Sequence, residues 1–363
     1  MKKVICLGNG PVMSFTPYMA KLANVLCELG IATNFVTWVR EDDVTTAKDP
    51  DNVETTILYK SKETKVKFIL VLKYFLWMIK VFLFASLSKE KYFICSRFEN
   101  AFPLFLVSLF KNISYLYADR DNLHSTYKWP SIIKKVIYKI ECLVAARAKI
   151  HLVPGLSRNF TSLNNVRIIS NKPSRSLYNK AKLIFNSRDN NLDESYVVYI
   201  NGWITKNRGL HQISDAIVSK YSKKVKFLIA GDATSMSNEL LTLDNVNYLG
   251  RLSNEEALSF YFESHLVISL YDPSIKINRL AEPNKWWDCV LSQTPFISNF
   301  GVSTVERYND LVEFHLIDYK TPYSLFEAIE KVSKINRTKK PVKLNCFKFW
   351  DDEMKDIIME FID

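Results

Sequence analysis

The chain opens on a short apolar run, Lys3-Val4-Ile5-Cys6-Leu7, closed by Gly8-Asn9-Gly10-Pro11. A run of that length bounded by glycine and proline predicts a buried strand over 2–7 followed by a turn. Apolar positions at helical spacing occupy 17–29 and stop at Gly30, a good C-cap, and 33–38 is strand-like again. This strand-loop-helix-strand opening is that of a doubly wound α/β fold. The alternation continues with strands over 92–95, 113–117, 150–153 and 166–169 and helices over 101–110 and 132–148. A polar segment at 186–194 breaks it and predicts an interdomain linker. It then restarts with strands over 196–200, 225–230, 246–250 and 266–270. Helices are predicted over 210–219, 254–263 and 325–332, and an amphipathic one over 351–361.

Residues 65–88 are the most apolar stretch and are long enough to span a bilayer. Lys73 and Lys80 sit inside it, and each costs roughly 2.5–3.5 kcal/mol near a bilayer centre. On a helical wheel Lys62, Lys65, Lys73 and Lys80 share one stripe, with Lys67 on the other side. That pattern favours a helix packed on a sheet with a basic, aromatic edge over a spanning helix. Its functional reading is peripheral contact with an anionic membrane surface, aided by Lys128, Trp129, Lys134, Lys135 and Lys139. Its plainer reading is a core helix with a solvated lysine face.

At 363 residues the chain suggests two domains, over 1–180 and 195–345, with a terminal helix in 346–363. Apolar residues at 48% and charged ones at 24% are those of a globular protein. Positions 1–180 hold 27 basic against 13 acidic residues, and 181–363 hold 22 against 25. The basic first half points to a polyanion there. Its lysines interleave with long apolar runs and no nucleic-acid-binding motif occurs, so nucleic acid is not the expected partner. The six cysteines form no C-x-x-C pair, and the N-terminus enters a strand at once. Free thiols in a cytoplasmic protein without a signal peptide are the expectation.

The chemistry concentrates at 281–299. Pro283-Asn284-Lys285 makes a polar turn that opens a helix, Asp288 follows one turn on, and Thr294-Pro295-Phe296-Ile297-Ser298-Asn299 reads as a strand. A helix N-terminus offers unpaired N–H groups and a positive dipole end, which suit a phosphate. A carboxylate inside that helix can accept from ribose hydroxyls. The segment therefore reads as a nucleotide site, with the turn on a diphosphate and Asp288 on the sugar of the nucleoside.

Pro283-Asn284-Lys285-x-x-Asp288 followed by Thr294-Pro295-Phe296-Ile297 resembles the donor-site segment of GT-B glycosyltransferases of family 4 type, from bacterial polysaccharide synthesis. The carboxylate here is Asp where that family often has Glu. Position 280, where its commoner form has a second Glu, is Leu, and Glu282 is the nearest acid. Asn201-Gly202-Trp203-Ile204-Thr205-Lys206-Asn207-Arg208-Gly209 resembles the family's phosphate-gripping loop, with Trp203 where Arg is usual and Arg208 where Lys is usual. The segment 245–253, containing Tyr248, resembles the one beside the base. Tyr117-Ala118-Asp119-Arg120-Asp121 resembles an acceptor-side element of one subgroup.

The resemblance implies a GT-B fold, α/β, with two Rossmann-like domains facing a central cleft and the C-terminal helix crossing back to the first. It implies a cytoplasmic transferase, peripheral to the inner face of the plasma membrane, that moves sugar from a nucleotide-diphosphate sugar to a lipid-linked or surface-glycan acceptor. Retention of configuration is expected, with no metal and no cofactor beyond the donor. Lys285, Arg208, Glu282 and Asp121 are the catalytic candidates. Gly10, Gly202, Lys206, Arg208, Tyr248, Asn284, Lys285 and Asp288 are the donor-binding ones, and Arg120, Asp121 and His124 the acceptor-side ones. Asp119-x-Asp121 also spells a metal-binding pair of the other glycosyltransferase fold, a match common by chance. The departures at 280 and 203 keep open a catalytically silent scaffold in a polysaccharide-assembly complex.

Overall fold

The computed structural model describes residues 3–64, 66–120, 122–126, 129–188, 195–219, 225–321, 323–334 and 347–363. They form two compact units: Met1–Ser170 together with Trp350–Asp363, and Asn171–Phe349.

The first unit contains β1 (Lys3–Asn9), α1 (Pro17–Glu28), β2 (Ala32–Arg40), β3 (Val53–Ser61), α2 (Lys67–Leu87), β4 (Tyr92–Ser96) and α3 (Phe98–Ser108). It continues with β5 (Ser114–Ala118), α4 (Leu123–Thr126), α5 (Ser131–Arg147), β6 (Ile150–Val153) and β7 (Val166–Ile168). All pairings are parallel, in the order β3-β2-β1-β4-β5-β6-β7. Parallel strands covered on both faces need continuous apolar runs, which β1, β4 and β6 have. β3, at one edge, reads Val-Glu-Thr-Thr-Ile-Leu-Tyr-Lys-Ser. Its mixed polarity carries no buried-strand signal, and for that reason the sequence pattern does not predict it.

Two cores flank this sheet. On one face α1 supplies Leu22, Val25 and Leu26, and the C-terminal helix over Trp350–Ile362 supplies Trp350, Met354, Ile358 and Phe361. Tyr92 meets Phe361 edge-on at 5.6 Å between ring centres. On the other face α2, α3 and α5 bury Trp77, Val81, Ala85, Leu104, Val107 and Val144. Trp77, Val81 and Ala85 fall at one-turn spacing, so α2 lies along the sheet through a single narrow stripe.

Two lysines of α2 are partnered within the first unit. Lys73 turns back to donate to the carbonyl of Lys62, and the Lys80 ammonium lies over the Tyr59 ring at 5.8 Å. What α2 presents outward is Phe68, Val71, Leu72, Phe75, Ile79 and Leu83. Lys65 and Lys128 lie outside the described residues.

The second unit begins with α6 (Arg175–Ser187), β8 (Tyr196–Trp203), α7 (Leu210–Val218), β9 (Val225–Asp232), α8 (Asn238–Leu241), β10 (Val246–Gly250) and α9 (Asn254–Glu263). Then come β11 (Leu266–Ile268), α10 (Lys276–Arg279), α11 (Asn284–Ser292), β12 (Phe296–Asn299), β13 (Phe314–Ile317) and α12 (Ser324–Ser333). The Trp350–Ile362 helix, α13, returns the chain to the first unit. The second sheet is also parallel, ordered β10-β9-β8-β11-β12-β13.

The division between units falls at Ser170, ahead of the polar segment expected to be the linker. Residues 189–194 of that segment lie outside the described residues. Its first residues end α6, whose Leu177, Ala181 and Phe185 recur every turn and face the second core. Arg188, just after α6, pairs with Glu263 at 3.1 Å. The polar residues at 186–188 are thus the end of an amphipathic helix of the second unit.

Candidate functional site

In a doubly wound sheet, ligands sit beyond the carboxyl ends of the strands where the order reverses. In the second unit that point lies between β8 and β11. β8 ends at Gly202 and Trp203, the chain makes a 3₁₀ turn over Lys206–Arg208, and α7 begins. Gly202 has φ +91°, and Gly231, at the end of β9, has φ +107°. A Cβ on Gly231 would lie 2.5 Å from the Gly202 carbonyl oxygen, so the two strand ends approach too closely for side chains. A Cβ on Gly202 would in turn sit 3.4 Å from Lys285 Nζ.

Lys285 stands in the first turn of α11. Pro283 occupies the N-cap in extended conformation with no side-chain cap, so the first-turn N–H groups have no side-chain acceptor at the cap. The Lys285 ammonium folds back and donates to the carbonyl of Asn201. The Arg208 guanidinium lies over the Tyr271 ring at 4.2 Å. Arg208 Nη1 is buried and has no hydrogen-bond partner among the described residues. Burial, and then the charge of Arg208, push the Lys285 ammonium down to about 8. Asp288, half-buried one turn along, partly offsets this. The two cations are close enough to repel each other, a repulsion that an anion bound between them would relieve.

The other expected donor residues are placed around this pair. Lys206 is exposed, and its carbonyl accepts from the Tyr319 hydroxyl at 2.7 Å. The Tyr248 hydroxyl donates to the Gly231 carbonyl at 3.1 Å, setting its ring beside the β9 end. Asn284 is exposed at the first position of α11. Trp203 is 71% exposed, and the Thr234 hydrogen bonds, helped by the Trp203 indole, hold the Asp232 carboxyl below its usual range. Glu282 is engaged elsewhere: its carboxylate pairs with Arg307 at 2.6 Å, and its carbonyl accepts from Asn171.

In the first unit, Gly10 closes the end of β1 onto β2. Its N–H donates to the Trp38 carbonyl at 3.0 Å, and its carbonyl accepts from the Thr37 hydroxyl at 2.7 Å. The Arg120 guanidinium lies 4.7 Å from the Tyr18 ring centre, at the end of β5. His124 Nδ1 is 2.7 Å from Glu141 Oε2. Glu141 also accepts the backbone N–H groups of Leu123 and His124, at 2.7 and 3.0 Å. Asp121 lies outside the described residues. Asp119 is wholly buried 3.6 Å from His151, and burial raises its carboxyl pKa, a poor setting for a metal ligand. No group of His, Cys, Asp and Glu among the described residues has metal-holding geometry. Cys6, Cys95 and Cys289 are buried free thiols, whereas Cys27 is exposed.

The roles of four supporting residues are harder to read from the sequence. Asn201, inside the quoted loop, acts through its carbonyl and Tyr271 through its ring face, roles that no motif marks. Arg307 lies far in sequence from the Glu282 it holds. Glu141 does leave a trace, as an acid inside the apolar run Ile140-Glu141-Cys142-Leu143-Val144, where an unpaired charge would not survive.

No protein-family model matches the chain, and no curated protein sequence does. Solved structures do match. Sucrose-phosphate synthase from Thermosynechococcus elongatus has a TM-score of 0.65 at 12% identity, over 100% of this chain and 95% of that one. Anabaena HepE in complex with UDP has a TM-score of 0.61 at 13% identity, over 100% and 96%. A UDP-N-acetylglucosamine 2-epimerase has a TM-score of 0.55 at 10% identity, over 98% and 90%. The fold is therefore of the GT-B type, with two parallel-sheet Rossmann-like units.

Proposed function

We propose that the protein is a glycosyltransferase that takes sugar from a nucleoside-diphosphate sugar and passes it to a lipid-linked or surface-glycan acceptor. The observation that carries this is the proximity of Arg208 and Lys285, with a buried guanidinium nitrogen that has no acceptor among the described residues, beside the uncapped N-terminus of α11. A diphosphate supplies the negative charge this arrangement needs, and fixed cations then stabilise the leaving group as charge develops on it. HepE, of the same fold, is solved with UDP, which supports a nucleoside diphosphate as the ligand class. The same fold serves an epimerase. The choice of transfer therefore rests on the Pro283-Asn284-Lys285-x-x-Asp288 and Lys206-x-Arg208 residues and not on the fold.

In this reading Lys206, Arg208 and Lys285 hold the diphosphate, Asp288 the ribose, Tyr248 the base side and Asn284 the sugar. The acceptor hydroxyl attacks the anomeric carbon from the face the diphosphate leaves. The bond from that carbon to the phosphate oxygen breaks, and that oxygen takes the acceptor proton. Configuration is retained, and no metal or protein base is required. Arg120, Asp121 and His124 belong to the acceptor side.

A catalytically silent scaffold is the second reading. It is favoured by the Glu282–Arg307 pair, which occupies the one acid near the missing family Glu, and by Trp203 in place of a phosphate-facing Arg. The test is incubation with individual UDP-, GDP- and CMP-linked sugars and membrane lipid extract, following release of nucleotide and the anomer of the transferred sugar by NMR. Release with retained configuration supports the transferase. Nucleotide binding without release from any donor supports the scaffold. Conversion of the donor to its epimer would replace both.

A further inference from the structure

α2 is long and apolar enough to cross a membrane, yet only 17% of its most apolar eighteen-residue window is buried. Phe68 is 78% exposed, Val71 66% and Phe75 55%, and Ile79 and Leu83 extend the row. α3 packs beside α2 and α5 beside α3. Between them Phe98, Phe102 and Phe105 stack half-buried along α3, and Ile132 and Val136 stand exposed on α5. Soluble proteins rarely expose contiguous apolar patches beyond a few hundred Å² unless something covers them.

We propose that this α2–α3–α5 face docks on an anionic membrane surface. α2 lies in the plane of the interface, its outer row enters the acyl boundary, and the flanking lysines meet lipid phosphates. Charge selects this occupant. Lys67 on α2 and Lys135 and Lys139 on α5 are exposed on the same helices and Lys134 is half-buried, while Lys80 is exposed beside the Tyr59 ring and Lys73 is taken up by the Lys62 carbonyl. The only acids on the three helices are Glu99, which is mostly covered and 4.0 Å from Arg97, and Glu141, which is wholly buried. A second copy seated on this face would set lysine against lysine with no acid to answer, whereas an anionic lipid surface complements it.

A spanning arrangement would cost the core its cover. Trp77, Val81 and Ala85 are buried with Trp38 and Phe93, and Trp77 Nε1 donates to Asn100 Oδ1 at 2.7 Å. At the far end of α2, the Lys111 ammonium donates to the carbonyls of Ala85 and Ser86 at 3.1 and 2.8 Å and holds that end in place. The helix is held flat, as an interfacial helix is. The lysine-mediated contact expected from sequence thus gains an apolar component that salt does not screen.

This inference uses only the first unit and stands apart from the nucleotide reading. Its test is flotation of the whole protein with phosphatidylcholine vesicles, with and without phosphatidylglycerol, across a salt series. The wild type is expected to float with phosphatidylglycerol vesicles and to keep part of that binding at high salt. Phe68→Ser/Phe75→Ser/Ile79→Ser is expected to lose at least about tenfold of the partition. Lys134→Glu/Lys135→Glu/Lys139→Glu is expected to lose the preference for phosphatidylglycerol. All these positions lie outside the core, and unchanged thermal unfolding and circular dichroism confirm that each variant folds. As a check free of disruptive substitutions, a polarity-sensitive dye on Phe75→Cys, with Cys27, Cys142 and Cys346 changed to Ser, is expected to shift to the blue on adding vesicles. Failure of the wild type to float, equal flotation of the serine variant, or an unshifted dye would overturn the proposal. So would a wild-type dimer that the serine variant dissociates, which would assign the face to a second copy.

Discussion

Lys285, in the first turn of α11, reaches back to the carbonyl oxygen of Asn201 near the end of β8. The bond ties a helix N-terminus to a strand end and holds the ammonium beside Arg208, with the Asp288 carboxylate offsetting the two charges only in part. A lysine in such a place is positioned for an anion more than for stability.

Lys285→Ala is therefore expected to weaken nucleoside-diphosphate binding by roughly 10- to 100-fold, the scale of a lost charge-assisted hydrogen bond of about 1.5–3 kcal/mol. The unfolding temperature of the free protein should stay level or rise, because a burdened cation is removed. Calorimetric titration and thermal unfolding of the same variant check both halves. Unchanged affinity would end the assignment of Lys285.

The pH dependence follows from the direction of the Lys285 shift. Its folded value is lowered to about 8 by burial and by Arg208. The unfolded chain then binds more protons than the folded one from about pH 8 up to the ordinary lysine range, so this group makes the free protein more stable as pH rises through that window. A bound diphosphate reverses the balance by favouring the charged amine. Binding should take up a proton near pH 8–9 and weaken as pH rises further. Titrations in buffers of different ionisation heat read the proton directly, and affinity independent of pH across that window would contradict the account.

Glu282 is predicted to hold structure more than substrate. Its side chain is 7% exposed and pairs with the half-exposed Arg307 at 2.6 Å. Arg307→Ala should destabilise the protein by about 1–2 kcal/mol, discounted for the exposure of the arginine. Glu282→Gln, which keeps an acceptor, should unfold closer to wild type and retain nucleotide binding. A large loss of transfer in Glu282→Gln with unaltered stability would return the residue to the catalytic set.

Glu141 answers three donors from α4, two backbone N–H groups and the His124 ring. Glu141→Ala leaves these unanswered in a buried place and is expected to cost about 3–5 kcal/mol, read from denaturant unfolding. His124→Ala, which removes one donor and keeps the carboxylate on two others, should cost less. Equal costs would mean that the histidine contact dominates.

The sheets were legible because their strands are apolar runs of four to eight residues between turn signals, and the helices because their apolar stripes recur at helical spacing. β3 was not, since an edge strand need not be apolar, and α6 was hidden by the polar residues at its end. The outward face of α2 is only partly legible in the sequence, for a different reason. A wheel places lysines on one stripe but cannot say that Lys73 and Lys80 turn back to the Lys62 carbonyl and the Tyr59 ring and leave phenylalanines in solvent. At the candidate site, the glycines, Lys206, Arg208 and Lys285 were marked by type and spacing. The residues that position them were not, because a carbonyl such as that of Asn201 is independent of side-chain identity, and Arg307 meets Glu282 only through the fold.

The measurement closest to the central claim is calorimetric titration of UDP, GDP and CMP, with and without EDTA, into wild type and the Arg208→Ala/Lys285→Ala variant. The account predicts that one nucleotide binds the wild type with proton uptake near pH 8, indifferently to EDTA, and that the double variant loses most of that affinity while remaining folded. Binding of that nucleotide with equal affinity to both proteins, or of none to the wild type, would contradict it.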